Sequence, residues 1–308
     1  MYFPYLRGRQ FELIALREYA IQRGDKNNVL PIIEPVKKSF NSLKIAIKQF
    51  KEHSLKFSLI VNPQVGELSG DNGSFLGTLE DELSDSDWLP AFIVKNNIEE
   101  INQVIEAEGY SENVVLICSK MVDTDSESFL QLVRRDCIEY IVSEENKTLK
   151  RKLIKGYNKK IILLSDCFEP QHRNRDYLNM PEEKFTEEHI FFDDEGYSGF
   201  SDYTTLSSEF SEGGSTPFAV AIHLTYQKEN EEIWVRHFTS ESNEDRANIQ
   251  GKFAEAAEKA IKFLDEKNIQ TYSADELRNY YHEQKYPGLG MVKKISVKHH
   301  LELINSIL

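Results

Sequence analysis

The sequence predicts an α/β fold of the (β/α)8, TIM-barrel-like class, and three observations carry that expectation. Short apolar runs rich in Ile, Val, Leu and Phe recur along the chain. The stretches between them place apolar residues at three- and four-residue steps, the spacing of one helix face. Eight such runs fall within roughly 225 residues, the strand count and span of a single barrel. Strands alternating with helices pair in parallel, because each parallel connection needs a crossover. An open doubly wound sheet satisfies the same alternation. No glycine-rich loop of the GxGxxG or GxxxxGK(S/T) kind follows an early strand, however, which argues against a dinucleotide- or P-loop-binding sheet.

Taken in order, the first strand is read at 29–35, Val-Leu-Pro-Ile-Ile-Glu-Pro, and the first helix at 39–53, where Leu43, Ala46, Ile47 and Phe50 define an apolar face. The second strand is 57–62, followed at 66–86 by a Gly-, Ser-, Asp- and Glu-rich loop with one short helix. The third is 89–95, leading into a helix that Asn97 is placed to cap through its side chain. Runs at 114–119 and 140–143 give the fourth and fifth, with a helix through Phe129–Val133 between them, and 161–165 and 189–193 give the sixth and seventh. The eighth, 218–225, turns through 229–232 into a ninth strand, 233–238, as a hairpin. An amphipathic helix at 248–267 and another from Ser273 close the chain, and 11–19 reads as a helix under the barrel. The expected organisation is one barrel domain over 1–308, with 268–308 as a C-terminal helical extension.

Composition bounds the function. Hydrophobic residues are 40% of the 308, enough for a sizeable core. Acidic residues outnumber basic ones by 51 to 37, so the summed field repels the phosphates of nucleic acid and anionic lipid and disfavours a general nucleic-acid coat protein. Two basic runs, Lys147 to Lys155 and Lys285 to His300, are read as solvated helix faces rather than binding patches. Cys118, Cys137 and Cys167 are odd in number and widely spaced, matching neither a disulfide framework nor a paired-thiolate zinc site. With no apolar run near the roughly 20 residues of a bilayer span and no signal-like N-terminus, the expected location is the cytoplasm.

Barrels place their chemistry at the C-terminal ends of strands, which selects Glu34, Asn62, Lys95, Cys118, Lys120, Glu144, Asp166, Asp193, Asp194 and His223. Glu34, inside an apolar strand, is either a functional acid or an ion-paired anchor at the mouth, with Lys95 or Lys120 as the expected cation. His223 alternates with small residues and is expected to line the barrel interior, as general acid or base or as a bonded core residue. Asp166 and Asp193 are candidate ligands for Mg²⁺ or Mn²⁺. The loop 194–205 reads as a phosphate cradle built on Gly196, Ser198, Gly199 and Ser201, with Arg236 or His237 as a further donor, or else as a self-packed Ω-type cover. The tail 287–300, where Pro and Gly precede a basic strip, is either a partner contact or a docked terminal helix.

Tyr2-Phe3-Pro4, Glu12 to Leu16 with its Glu-x-x-Ala-Leu pattern, Pro31-Ile-Ile-Glu34, Gly199-Phe-Ser-Asp-Tyr203 and the tail from Pro287 to His300 together resemble the bacterial group related to the phage Beta-protein family. The resemblance spans the whole chain. It implies a barrel-like fold and a neighbouring gene for a small nuclease-like protein, in loci of the mobile or phage-defence kind, and it carries over no catalytic residue. The leading functional expectation is a recognition or sensor subunit acting with that co-encoded partner, with nucleic acid or a nucleotide as a further ligand. The rival is a divalent-metal-dependent phosphoester hydrolase that uses Glu34 and His223 for catalysis, Asp166 and Asp193 for the metal and the 194–205 loop for phosphate. A ligand-free structural adaptor is the third.

Overall fold

The structure is a computed structural model and describes residues 1–213 and 216–308. Its strands are, in chain order, β1 (Tyr5–Leu6), β2 (Ile32–Ile33), β3 (Phe57–Ile60), β4 (Trp88–Val94), β5 (Val114–Cys118), β6 (Ile138–Ser143), β7 (Lys160–Ser165), β8 (Glu182–Thr186), β9 (Gly199–Asp202), β10 (Ala221–Gln227) and β11 (Ile233–Thr239). Its helices are α1 (Gln10–Gln22), α2 (Asn41–Glu52), α3 (Glu80–Leu83), α4 (Ile98–Ala107), α5 (Glu127–Arg134), α6 (Lys147–Gly156), α7 (Glu188–Phe191), α8 (Ile249–Glu266), α9 (Tyr272–His282) and α10 (Leu289–Ile307). Two compact units are built from interleaved segments. Met1–Gln10, Asn27–Ser165 and Glu188–Asp202 make the first, and Phe11–Lys26, Asp166–Glu187 and Tyr203–Leu308 make the second.

The first unit is the predicted barrel. Eight strands pair in parallel in the order β1-β2-β3-β4-β5-β6-β7-β9. The N-terminal segment closes the ring, because Tyr2 bridges both Val29 and Phe200. On one side Leu30 N–H donates to Tyr2 O and Ile32 N–H to Pro4 O, each at 2.8 Å; on the other Phe3 N–H donates to Phe200 O at 2.8 Å. Outside the seam, Tyr2 stacks on Phe200 at 5.1 Å and its hydroxyl donates to Asp202 Oδ1 at 2.5 Å. The helices bury the faces their spacing predicts: Leu43, Ala46, Ile47 and Phe50 on α2, Phe129, Leu132 and Val133 on α5, Leu149 and Leu153 on α6.

Two strands of this barrel differ from the expectation. The first is β1, which the sequence hides because Pro4 interrupts the Tyr2 to Leu6 run. Proline lacks only the donor, and Pro4 still serves the ladder as an acceptor. The second correction concerns 189–193, expected as the seventh strand. These residues form the end of the one-turn α7 and the turn after it, and the barrel strand is β9. A run of three apolar residues, Ile190, Phe191 and Phe192, cannot by itself separate strand from helix. Asn97 also departs from its expected role: its Oδ1 accepts from Lys95 N–H and its Nδ2 donates to Ile93 O, so it folds back on the end of β4 and leaves the helix amides alone.

The second unit is built on a three-stranded antiparallel sheet, β10-β11-β8. The run 218–225 is therefore not the eighth barrel strand. It contributes β10, which pairs with β11 through the expected hairpin, Lys228 N–H to Glu232 O at 2.9 Å. Ile222, Leu224 and Tyr226 pack with Phe253, Ala256, Ala257 and Ala260 of α8 and with Leu277 and Ile295. α10 shows why the C-terminal basic strip is not a solvated face. Lys294 and Lys298 are 0% and 2% exposed, and both donate to Glu18 of α1 at 2.8 Å, while Lys294 also reaches Glu276 of α9 at 2.5 Å. Burial alone would raise Glu18, but the hydrogen bonds from the two lysines outweigh it and hold the carboxyl below its usual range. The other basic run behaves as expected: Lys147, Arg151 and Lys155 of α6 are exposed. Among the described residues, no helix is long and apolar enough to cross a membrane.

Removing one member of a buried ion network leaves an uncompensated charge. The Lys294→Met variant is expected to lose on the order of 3 kcal/mol in urea unfolding; an unchanged midpoint would mean that the three helices are held by apolar packing alone.

Candidate functional site

The mouth of the barrel is the candidate site, and alternation along the strands builds it. Phe3 and Tyr140 lie 5.4 Å apart on segments that are not neighbours in the ring, so their rings meet across the interior. Side chains alternate along a strand, so Tyr5 and Arg7 share the inward side with Phe3. The pairing of Tyr5 with Ile32 continues to Arg7 and Glu34. The same rows put Asn62, beyond β3, and Lys95, beyond β4, at the C-terminal rim.

Glu34 is the centre of this rim. It is 0% exposed, and three donors meet its carboxylate. Oε2 accepts the Tyr5 hydroxyl at 2.7 Å and Nη1 of Arg7, while Oε1 accepts the Gln64 N–H at 2.7 Å. Arg7 rests over the Tyr5 ring at 4.9 Å, a cation–π contact. Gly8, at φ +60°, lets the chain turn after Arg7; a Cβ there would sit 3.0 Å from Glu34 O. Asn62 bridges β3 to β4, accepting from Ile93 N–H at 2.8 Å and donating to Ile93 O at 2.9 Å. The cation that meets Glu34 is therefore neither Lys95 nor Lys120. Lys120 pairs with Glu144 at 3.0 Å, and both side chains are exposed.

The expected phosphate loop does not gather here. Gly196 and Ser198 precede β9, so they lie at the barrel end opposite Glu34, and the Ser198 N–H donates to Ile161 O. Gly199 and Ser201 are buried strand residues. A Cβ on Gly199 would collide with Met1 O, and Ser201 Oγ donates to Phe3 O at 2.6 Å. The 194–205 segment is thus spent partly on barrel closure. Asp193 is exposed in the turn after α7, before the N-terminal end of β9, and Asp166, at the C-terminal end of β7, is occupied by Ser208, whose Oγ donates to it. No group of three or more His, Cys, Asp or Glu residues able to hold a metal occurs among the described residues. Cys118 and Cys137 are buried, and burial pushes Cys118 up to about 12.

His223 lies on β10 in the second unit and does not line the barrel interior. Its Nδ1 faces Nδ1 of His237 at 2.8 Å, so one ring donates and the other accepts. Tyr177 and Phe168 close over the pair, with Tyr177 at 4.4 Å from the His237 ring and Phe168 at 5.1 Å from His223. Burial, then the neighbouring His237, pushes His223 down to about 3, which leaves it a neutral ring near pH 7. Arg236 points to the other side of β11, over Phe263 at 4.8 Å. Along α10, His299 Nε2 donates to Thr225 O at 2.8 Å and His300 Nδ1 meets Thr225 Oγ1 at 3.0 Å, tying the helix to β10. Burial pushes His299 down to about 4.

Arg7, Tyr5 and Gln64 are the site residues that position at strand ends did not reveal. The available signal was the Tyr-Leu-Arg-Gly-Arg segment, 5–9, where a basic residue and a glycine follow an aromatic run. Comparison with protein-family models finds none that matches the chain, and comparison with curated protein sequences finds no match either.

The two histidines with lowered values make a pH prediction. Each is near 6.5 when unfolded and lower when folded, so between those values the unfolded chain binds more protons. Their contribution to stability is complete above about pH 6.5 and falls away as the pH drops toward 4 and then 3. Urea midpoints measured between pH 7 and pH 4.5 should decline, and His223→Gln should flatten the dependence by about one proton. An identical slope in the variant would show that His223 titrates normally.

Proposed function

We propose that the chain is a recognition subunit that works with a co-encoded nuclease-like protein in phage defence, as its resemblance to the group related to the phage Beta-protein family implies. The state of Glu34 is the main support. A general acid or metal ligand must leave part of its carboxylate for substrate, water or ion, whereas Glu34 is sealed behind Arg7, Tyr5 and the Gln64 amide. Such an arrangement suits a rigid barrel that displays its rim and its connecting loops to a partner.

A metal-assisted phosphoester hydrolase would need its carboxylates close together. Asp166 follows the C-terminal end of β7 and Asp193 precedes the N-terminal end of β9, which pairs with β7 in parallel, and Asp166 already accepts a serine hydroxyl. The overall charge of −14 also favours a protein partner over duplex nucleic acid.

The discriminating experiment purifies the chain alone and together with the protein encoded beside it, then assays both for phosphodiester cleavage with Mg²⁺ or Mn²⁺. Co-purification is expected, with cleavage only in the two-protein sample and rates within about twofold of wild type for Asp166→Ala and Asp193→Ala, surface changes of small structural consequence. Turnover by the chain alone that both substitutions abolish, with folding intact, would replace this proposal with the hydrolase.

A further inference from the structure

We propose that the second unit contains a binding site for a primary alkylammonium group, in a cavity of about 320 Å³ walled by α1, the start of α9 and the end of α10. Four side-chain atoms on its walls are buried and lack a hydrogen-bond partner: the Tyr19 hydroxyl, Gln22 Oε1, Glu302 Oε1 and Asn305 Oδ1. Tyr19 is 1% and Asn305 7% exposed. A buried polar atom with no partner forfeits its hydration without return, and such atoms are few in native proteins. Four around one concavity mark a place where a polar guest is bound.

The chemistry of the four selects the guest. Gln22, Glu302 and Asn305 each present an oxygen acceptor, and an ammonium offers three N–H donors with no acceptor of its own. Tyr19 adds its hydroxyl, whose oxygen lone pairs suit a cation. Two carboxylates, Glu302 and Asp275, line the cavity. The Oε2 of Glu302 accepts from Ser273 N–H at 3.1 Å, which leaves Oε1 as its unbonded oxygen; Lys298 stays 3.9 Å from that Oε1 and donates instead to Glu18 at 2.8 Å. Two cations stand against these carboxylates, and both are engaged with backbone: Arg23 of the wall reaches the Lys26 carbonyl, and Lys26 Nζ donates to the Asn305 carbonyl at 3.0 Å. Burial raises Glu302 above its usual range, and a bound ammonium would return it toward the charged form.

The test is calorimetric titration of the full chain with cadaverine at pH 7.5, with pentane-1,5-diol as the neutral isostere and N-acetyl-lysine methylamide as the form an amino group takes on a protein. Saturable binding of cadaverine and none of the diol is expected. Glu302→Gln and Gln22→Leu should each weaken it by about tenfold or more while thermal unfolding is retained. The Gln22 variant, on a partly exposed position, guards against a Glu302 variant that fails to fold. Binding of the lysine derivative in place of cadaverine keeps the ammonium assignment and makes the source a protein side chain. No saturable binding of either amine up to about 10 mM, or equal affinities in wild type and both variants, overturns the proposal.

Discussion

A carboxylate buried in the wall of a β-barrel has to be met by donors from the barrel itself, and that requirement organises the first unit. Glu34 is reached by Arg7 only because the N-terminal segment runs as a strand beside β2, in the register that pairs Tyr5 with Ile32. The same segment pairs on its other side with Phe200, so one short stretch both closes the ring and delivers the cation. Two-sided pairing leaves no exposed edge there. Gly199 fits this seam because it has no Cβ to strike the Met1 carbonyl. The cost of taking Glu34 out of water is offset by an ion pair, a phenol and a backbone amide together, an arrangement whose removal in part is worse than its removal entire.

The second unit solves a similar problem with reversed signs. There the buried charges are lysines, on the helix that holds the sequence 293–300, and the carboxylates come from α1 and α9. Buried histidines complete the attachment: His299 and His300 hold α10 to the edge of β10 through Thr225. Glu302 lies at the far end of this network, only 3.9 Å from Lys298 yet not hydrogen-bonded to it, which is why the cavity beside it retains an acceptor to offer.

Much of this was legible in the sequence. Long runs with clear boundaries, such as Leu89 to Lys95 or Val114 to Ser119, fixed six barrel strands, because continuous β-branched and aliphatic runs of that length have few other uses. The helices between them followed from three- and four-residue spacing. What escaped was decided by partners distant in sequence. Tyr5–Leu6 is a strand because β2 and Phe200 flank it, and its own two residues cannot announce that. The run at 218–225 is as apolar as any barrel strand, and only its pairing with 233–239 assigns it to another sheet. For the site, Glu34 was identifiable as a charge in an apolar strand, whereas Arg7, its counterion, required knowledge of β1. Lys294 and Lys298 read as solvent-facing because lysine is rarely buried; the two carboxylates that make burial tolerable, Glu18 and Glu276, lie on α1 and α9.

Whether Glu34 is an anchor or an acid held in reserve is the central question, and a double-mutant cycle on Arg7 and Glu34 addresses it most directly. Wild type, Arg7→Met, Glu34→Gln and the double variant would be unfolded in urea at pH 7. An anchor predicts a coupling of about 2 kcal/mol or more, with the double variant more stable than the sum of the single losses implies. A coupling within about 0.5 kcal/mol of zero, with Glu34→Gln as stable as wild type, would contradict it and return Glu34 to the list of residues available for chemistry.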